Sequence, residues 1–294
     1  MSTASNASAT TDIGVATGNT SITVTPDTSQ AGTSYKATSA SVTSGPGKGS
    51  ASVTVSGLGV VEFDYTSSIV SGNHTSDTFD VEVTFTDQNS IGANQTDTST
   101  VSITLTPEGS FSNINTVCGS GASGVNPTIT SGTPSRSDLN TLDGNCGTVT
   151  LNTGSVIALT GTSAELTTIV NNITFNDNIN GTVNDTANLD YATLNTLISL
   201  GDVKSLTVSN QTAFTETAAN ATSLAALSEA NMNSAGDIVF AANSTITSAD
   251  ANFTHTTINN IFGDNGGKFT EVILNHNASL GGALTIPASH TLTN

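Results

Sequence analysis

The sequence predicts a mainly β chain, with a β-sandwich first and a short β-rich solenoid with helices on one flank after it. Three observations predict this. Strand-like alternation recurs through the first third, and a strand–turn–strand–helix phrase recurs through the second half. Hydrophobic residues make up only 35% of the 294 residues. Alternating strands bury every second side chain, so β folds tolerate so small an apolar fraction.

Residues 1–12, "MSTASNASATTD", read as an N-terminal tail. The sandwich is expected over 13–107. Its strands are "SITVT", "ASVTVSG", "VVEFDYT", "DTFDVEVTFTD" and "STVSITLTP", separated by Gly, Ser and Asn turns. In the fourth strand Phe79, Val81, Val83 and Phe85 share one face, and Asp80, Glu82, Thr84 and Thr86 the other. In the fifth, Val101, Ile103 and Leu105 point one way. This spacing suggests an immunoglobulin-like sandwich.

The run from Phe63 to Pro107 resembles the closing half of bacterial cadherin-like and related Ig-like surface repeats. Tyr65, Asp77, Phe79, Asp87, Gly92, Val101, Ile103, Leu105 and Pro107 occupy the matching places. The resemblance implies a spacer, decoration or adhesive unit. It also implies calcium, with Asp77, Asp80, Glu82 and Asp87 as the candidate ligands. The competing reading makes Asp80 and Glu82 the solvated face of a strand and Asp87 a turn former. Calcium requires several carboxylates to converge.

Residues 108–147 are rich in Gly, Ser and Pro and read as a linker. They hold the only two cysteines, Cys118 and Cys146, whose separation of 28 residues excludes a CxxC motif. The favoured reading is a structural disulfide; the alternative is two buried thiols.

Residues 148–294 carry the repeats. Equivalent strand ends are Leu151, Phe175, Val208, Phe240 and Leu274, with successive gaps of 24, 33, 32 and 34 residues. Helical spacing lies between them: Leu166, Ile169 and Val170; Leu189, Leu194, Leu197 and Ile198; Ala218, Leu224, Leu227 and Met232; Phe253, Ile258, Ile261 and Phe262. Thr162 and Ser248 are candidate helix caps, and Gly201, Gly236 and Gly263 candidate helix ends. A period of about 33 residues is the mark of a stacked solenoid with parallel pairing. A compact α/β or α+β domain, its repeats accidental, is the alternative. The same residues resemble the Thr-, Asn- and Ala-rich repeats of bacterial surface-layer and surface-motility proteins.

Composition narrows the function. Five Lys and Arg stand against 23 Asp and Glu, a net charge of −18. That charge repels nucleic-acid phosphates and anionic lipid. Trp is absent and aromatics are 4%, which disfavours a sugar cleft built on stacking. No apolar run approaches the length of a membrane span. The opening residues lack the basic and apolar regions of a secretory signal, and no "GGxGxDxxx" series points to type I secretion.

His74, His255, His276 and His290 show no metal-binding spacing, and "GDNGGKF" lacks the Walker spacing. Asn210, Asn243 and Asn277 sit in glycosylation sequons at equivalent turns, where Asn also suits the turn itself. The expectation is a non-catalytic structural or attachment protein with no cofactor beyond the calcium just named. A phage virion component is favoured: a capsid decoration, knob or tail-fibre piece. Its partners would be other structural proteins of the particle, further copies of itself, or a host-surface glycan. The alternatives are a bacterial surface-layer protein or adhesin, and a fibre-borne depolymerase.

Overall fold

The computed structural model describes residues 1–72, 75–119, 125–200, 202–227, 238–263, 269–275 and 280–294. The chain is mainly β, with several sheets and helices. It divides into two compact units: Met1–Gly132 with Gly144–Thr148, and Thr133–Asp143 with Val149–Asn294.

The first unit opens with β1 (Thr3–Ala4), β2 (Ala7–Asp12), β3 (Thr20–Ile22) and β4 (Val24–Thr25). It continues with β5 (Tyr35–Ser44), β6 (Gly49–Val55), β7 (Val61–Ser67), β8 (Asp77–Asp87) and β9 (Gln95–Thr106). One sheet has the order β2-β9-β8-β5, another β3-β7-β6, and β1 pairs with β4. The alternation read from sequence is borne out. Phe79, Val81, Val83, Phe85, Val101, Ile103 and Leu105 are buried with Val61, Phe63 and Tyr65 of the facing sheet in one core. Phe79 is its hub. Its ring stands edge-on to Phe63 at 5.7 Å and stacks on Tyr65 at 6.2 Å.

Two boundary expectations are corrected. Residues 1–12 are not a tail, because β2 pairs in parallel with β9 from Ala7↔Val101 to Asp12↔Thr106. Ala7 and Ala9 pack on the core and Ser2 is fully buried. Residues 108–147 are not a linker. They form β10 (Glu108–Ser110), α1 (Phe111–Cys118), β11 (Thr128–Ser131) and α2 (Arg136–Asn145). Ile114, Val117, Ile129, Leu139 and Leu142 are buried there. Gly, Ser and Pro dominate the composition, but these few apolar residues decide the structure.

The second unit carries β12 (Thr150–Leu151), β13 (Ile157–Gly161), α3 (Ser163–Asn172), β14 (Thr174–Phe175), β15 (Ile179–Val183) and α4 (Tyr191–Ser199). Then come β16 (Val203–Val208), β17 (Ala213–Glu216), α5 (Ala218–Ala225), β18 (Ile238–Val239), β19 (Ser244–Ser248), α6 (His255–Gly263), β20 (Phe269–Ile273) and β21 (Thr291–Thr293). β12 pairs in parallel with β14. Two further parallel sheets run β13-β15-β16-β18 and β17-β19-β20-β21. The apolar helix positions named from sequence are buried on α3, α4 and α6, and Phe214, Phe240 and Phe269 cluster at ring distances of 4.9–5.7 Å.

The repeat alignment holds only in part. Leu151 does pair with Phe175, and the strands ending near Val208 and Phe240 pair through Thr207↔Val239. Val208 itself, however, pairs with Val183, and Val272 pairs with Ile246. Ladder partners stand 22 residues apart at Ile157↔Ile179, 25 at Val183↔Val208 and 32 at Ala213↔Thr245. Among the described residues no solenoid of fixed period is found. Backbone pairing is set by where each corner falls, and similar phrases fall on different sheets. Thr162 caps α3 in a capping box with Glu165, as expected. Ser248 caps nothing; it ends β19, and its hydroxyl accepts the Asn275 N–H at 2.9 Å. Gly201, Gly236 and Met232 lie outside the described residues.

Candidate functional site

The carboxylates are the natural place to look for chemistry in an acidic chain. Strand parity sorts the four calcium candidates into two pairs. Asp77 and Asp87 face inward at opposite ends of β8, and Asp80 and Glu82 face outward. Ten residues of strand separate the inward pair by about 33 Å.

Both inward carboxylates are occupied by the protein itself. Asp77 accepts the N–H of Gly47 at 3.1 Å and of Lys48 at 2.8 Å, and the Tyr65 hydroxyl at 3.0 Å. Burial, with the bond and charge of Asp77, pushes the Tyr65 hydroxyl well above the usual tyrosine range. Asp87 accepts four N–H groups: Ser34 at 2.7 Å, Asn89 at 3.1 Å, and Ile91 and Gly92 at 2.8 Å. The bonds from Ser34 and Gly92, then those from Asn89 and Ile91, lower its pKa to about 2 against burial. Outside, Asp80 accepts the Thr100 hydroxyl at 2.8 Å, and Glu82 is half-buried opposite Thr98. The four do not converge. Among the described residues, no group of three or more His, Cys, Asp or Glu could hold a metal.

The Asp87 clamp yields a prediction. Replacing Asp87 by Asn turns one acceptor oxygen into a donor facing donors, so the melting temperature should fall; Asp80→Asn should leave it nearly unchanged. Asp87 has a depressed folded pKa. Its contribution is therefore present above the ordinary value of 3.8 and lost as pH falls through about 2. Thermal unfolding followed from pH 5 to pH 2 checks this. An acid limb as steep in Asp87→Asn as in the parent would reject it.

In the second unit, acidic side chains finish the helices of the preceding repeat. The first N–H of α3, Ser163, donates to Asp185 at 2.6 Å. The first of α4, Tyr191, donates to Glu216 at 2.6 Å. The first of α5, Ala218, donates to Asp250 at 3.4 Å. At α6 the Leu280 carbonyl takes that place, accepting from His255 at 3.3 Å. Carboxylates suit the positive ends of helices. Asp177 plays a related part at a corner, accepting the N–H groups of Thr153 at 2.6 Å and Gly154 at 2.8 Å.

Glu216 is the outlier. It is 3% exposed, and burial raises its pKa despite the N–H of Tyr191 and the side chain of Asn220, with Asp190 adding to the rise. A raised folded pKa favours the protonated form, so that stabilisation is present below the ordinary 4.5 and lost as pH rises through the folded value. Glu216→Gln keeps an acceptor for Tyr191 without the buried charge. It should be more stable than the parent at pH 7 and equal to it near pH 4 in urea titrations. Lower stability at pH 7 would defeat this account.

The cysteines do form a disulfide, Cys118–Cys146, with Cα atoms 6.1 Å apart. Described histidines serve structure. His255 Nδ1 lies 2.7 Å from the Leu280 carbonyl, and the His290 ring stands edge-on to Phe262 at 5.2 Å. Asn210 turns a corner, and its amide donates to the main-chain oxygen of Asn184 at 2.9 Å. Asn243 adopts a left-handed turn at φ 60°. His74, His276, Asn277 and residues 264–268 of "GDNGGKF" lie outside the described residues.

One concave feature escaped sequence reasoning. At the end of the first unit where β5 begins and β8 ends lies a groove of about 460 Å³. Ile22, Val24 and Ala37 line it, Lys36 borders it, and Leu58 and Val60 of the β6–β7 hairpin form its lip. Gly59 holds the hairpin tip at φ +83°, and a Cβ there would meet Lys36 Cγ at 2.9 Å. The only sequence signal was an apolar residue between two turn glycines, "GLG". No family model matches the chain, and neither a curated protein nor a solved structure matches it.

Proposed function

We propose that this chain is a non-catalytic structural and attachment protein of an outer surface, with a phage particle as the favoured setting and a bacterial cell surface as the alternative. The carrying observation is where the acids go. Asp77, Asp87, Asp177, Asp185, Glu216 and Asp250 each accept backbone N–H groups at turns, corners or helix starts. A catalytic carboxylate must face substrate, and these face the chain's own backbone.

Two further features support the reading. The disulfide suits an oxidising exterior. The two-sheet first unit fits an Ig-like sandwich, a scaffold used for display and spacing. In the second unit acidic side chains tie the start of one helix to a segment that follows it, a structural use of charge.

Mass spectrometry of gradient-purified virions tests the setting. Peptides of this chain should co-sediment with particles at a constant ratio to the major capsid protein. Finding the chain only on phage-free cells would move it to the alternative.

A further inference from the structure

We infer that residues 280–293 are a closing piece for the second unit. They stand in for a next strand and helix, and they keep that end from pairing with a second copy of the chain.

Position comes first. Along the second unit α3 packs on α4, α4 on α5 and α5 on α6. The first N–H of α3, α4 and α5 donates to an acid that lies 22, 25 and 32 residues later. That of α6, His255, donates instead to the Leu280 carbonyl, 25 residues later. β21 then pairs in parallel with β20, from Glu271↔Thr291 to Ile273↔Thr293, as β20 pairs with β19. The segment thus supplies both contacts that a next step would supply, a helix-start acceptor and a parallel strand. It supplies no helix, because Gly281, Gly282 and Pro287 stand where one would run.

The segment is held to one face of α6. His255, Asn259 and Phe262, at helical spacings of four and three, all meet it. His255 Nδ1 lies 2.7 Å from the Leu280 carbonyl. The Asn259 amide donates to the Ala283 carbonyl at 3.1 Å and accepts the Thr285 N–H at 2.8 Å. The His290 ring stands edge-on to Phe262, which is 4% exposed. Gly282 lies against the His255 ring, and a Cβ there would meet Cε1 at 2.5 Å. The outer side is mostly small and polar: Thr285, Ser289, Thr291 and Thr293 are exposed, and Ile286 is its one large apolar exception. Stacked strand–helix architectures need such a piece, since a bare last step offers unpaired strand groups and an apolar helix face. Without it, β20 would present an open edge on every copy. An open edge pairs with its own copy antiparallel about a two-fold axis, and a dimer closes.

The test loosens the segment alone, in the whole chain, with Gly282→Val, Thr285→Pro and Leu292→Pro combined. Gly282 and Thr285 are exposed and Leu292 is half-buried, so the residues of the body stay in place. Amide exchange in α6 and β20 should quicken about tenfold, the scale of one lost hydrogen bond, while α3 and α4 keep their rates. Sedimentation equilibrium should show a species of twice the parent's mass at equal concentration. A synthetic peptide of residues 280–294 in excess should return it to the parent's mass, and a scrambled peptide should not. Unchanged exchange in α6 would show that the segment does not cover it. Loss of protection in α3 and α4 as well would make the segment part of the core rather than a closing piece. Faster exchange without the added mass, or association that the peptide leaves untouched, would show that it keeps no copy away. Each of these three results overturns the proposal.

Discussion

Replacing Cys118 and Cys146 together by serine should destabilise the first unit by about 3–4 kcal/mol, the loop-entropy value for a closure of this length. The bond joins the last residue of α1 to the residue just after α2. α1 is only eight residues long, too short to persist by its own propensity. It is held by its Ser110 cap, by burial of Ile114 and Val117, and by this bond. Urea unfolding of the parent with and without reductant, beside the double variant, measures the effect. The reduced parent and the variant should agree. A loss below about 1 kcal/mol would show that packing alone holds the region.

Phe79→Ala should cost about 3–5 kcal/mol, the range for emptying an aromatic site in a core that cannot fully collapse. Phe63 and Tyr65 flank the ring on the opposite sheet, and both are fully buried. Two rigid aromatic neighbours leave little means of closing the gap. The Tyr65 hydroxyl is also fixed to Asp77, so that ring cannot slide inward without losing a buried bond. Denaturant unfolding measures the cost, and near-ultraviolet circular dichroism should weaken as Tyr65 loses its partner. Phe79→Leu should recover most of the loss.

The first unit was legible wherever one face of a strand was strongly apolar. β8 writes Phe79, Val81, Val83 and Phe85 at every second position, and no other period fits. β2 was missed because it is written in Ala, Ser and Thr, whose alternation carries almost no hydrophobic contrast. The repeats showed their helices clearly but not their register. Asn turns look alike on every sheet, whereas pairing depends on which corner closes on which.

The acids are visible in the sequence, but the bonds that they accept are not. Asp87 looks like a turn former, yet one of its donors, Ser34, lies 53 residues away. The Asp77 clamp reaches back 30 residues to Gly47. Sequence names the acceptor; only the fold shows how many donors arrive. Lys36 was equally silent, since a lone lysine in a strand says nothing about the hollow beside it.

The acid-capped helices also bear on how the chain is made. Ser163, Tyr191 and Ala218 each begin a helix on an N–H whose acceptor lies 22, 25 and 32 residues later. On a ribosome, each helix therefore emerges with its first turn unfinished. It is completed only after the next strand has been synthesised. An interruption leaves one N–H at a helix start without its acceptor, while Thr162, Asp190 and Thr217 still cap α3, α4 and α5 from within their own segments.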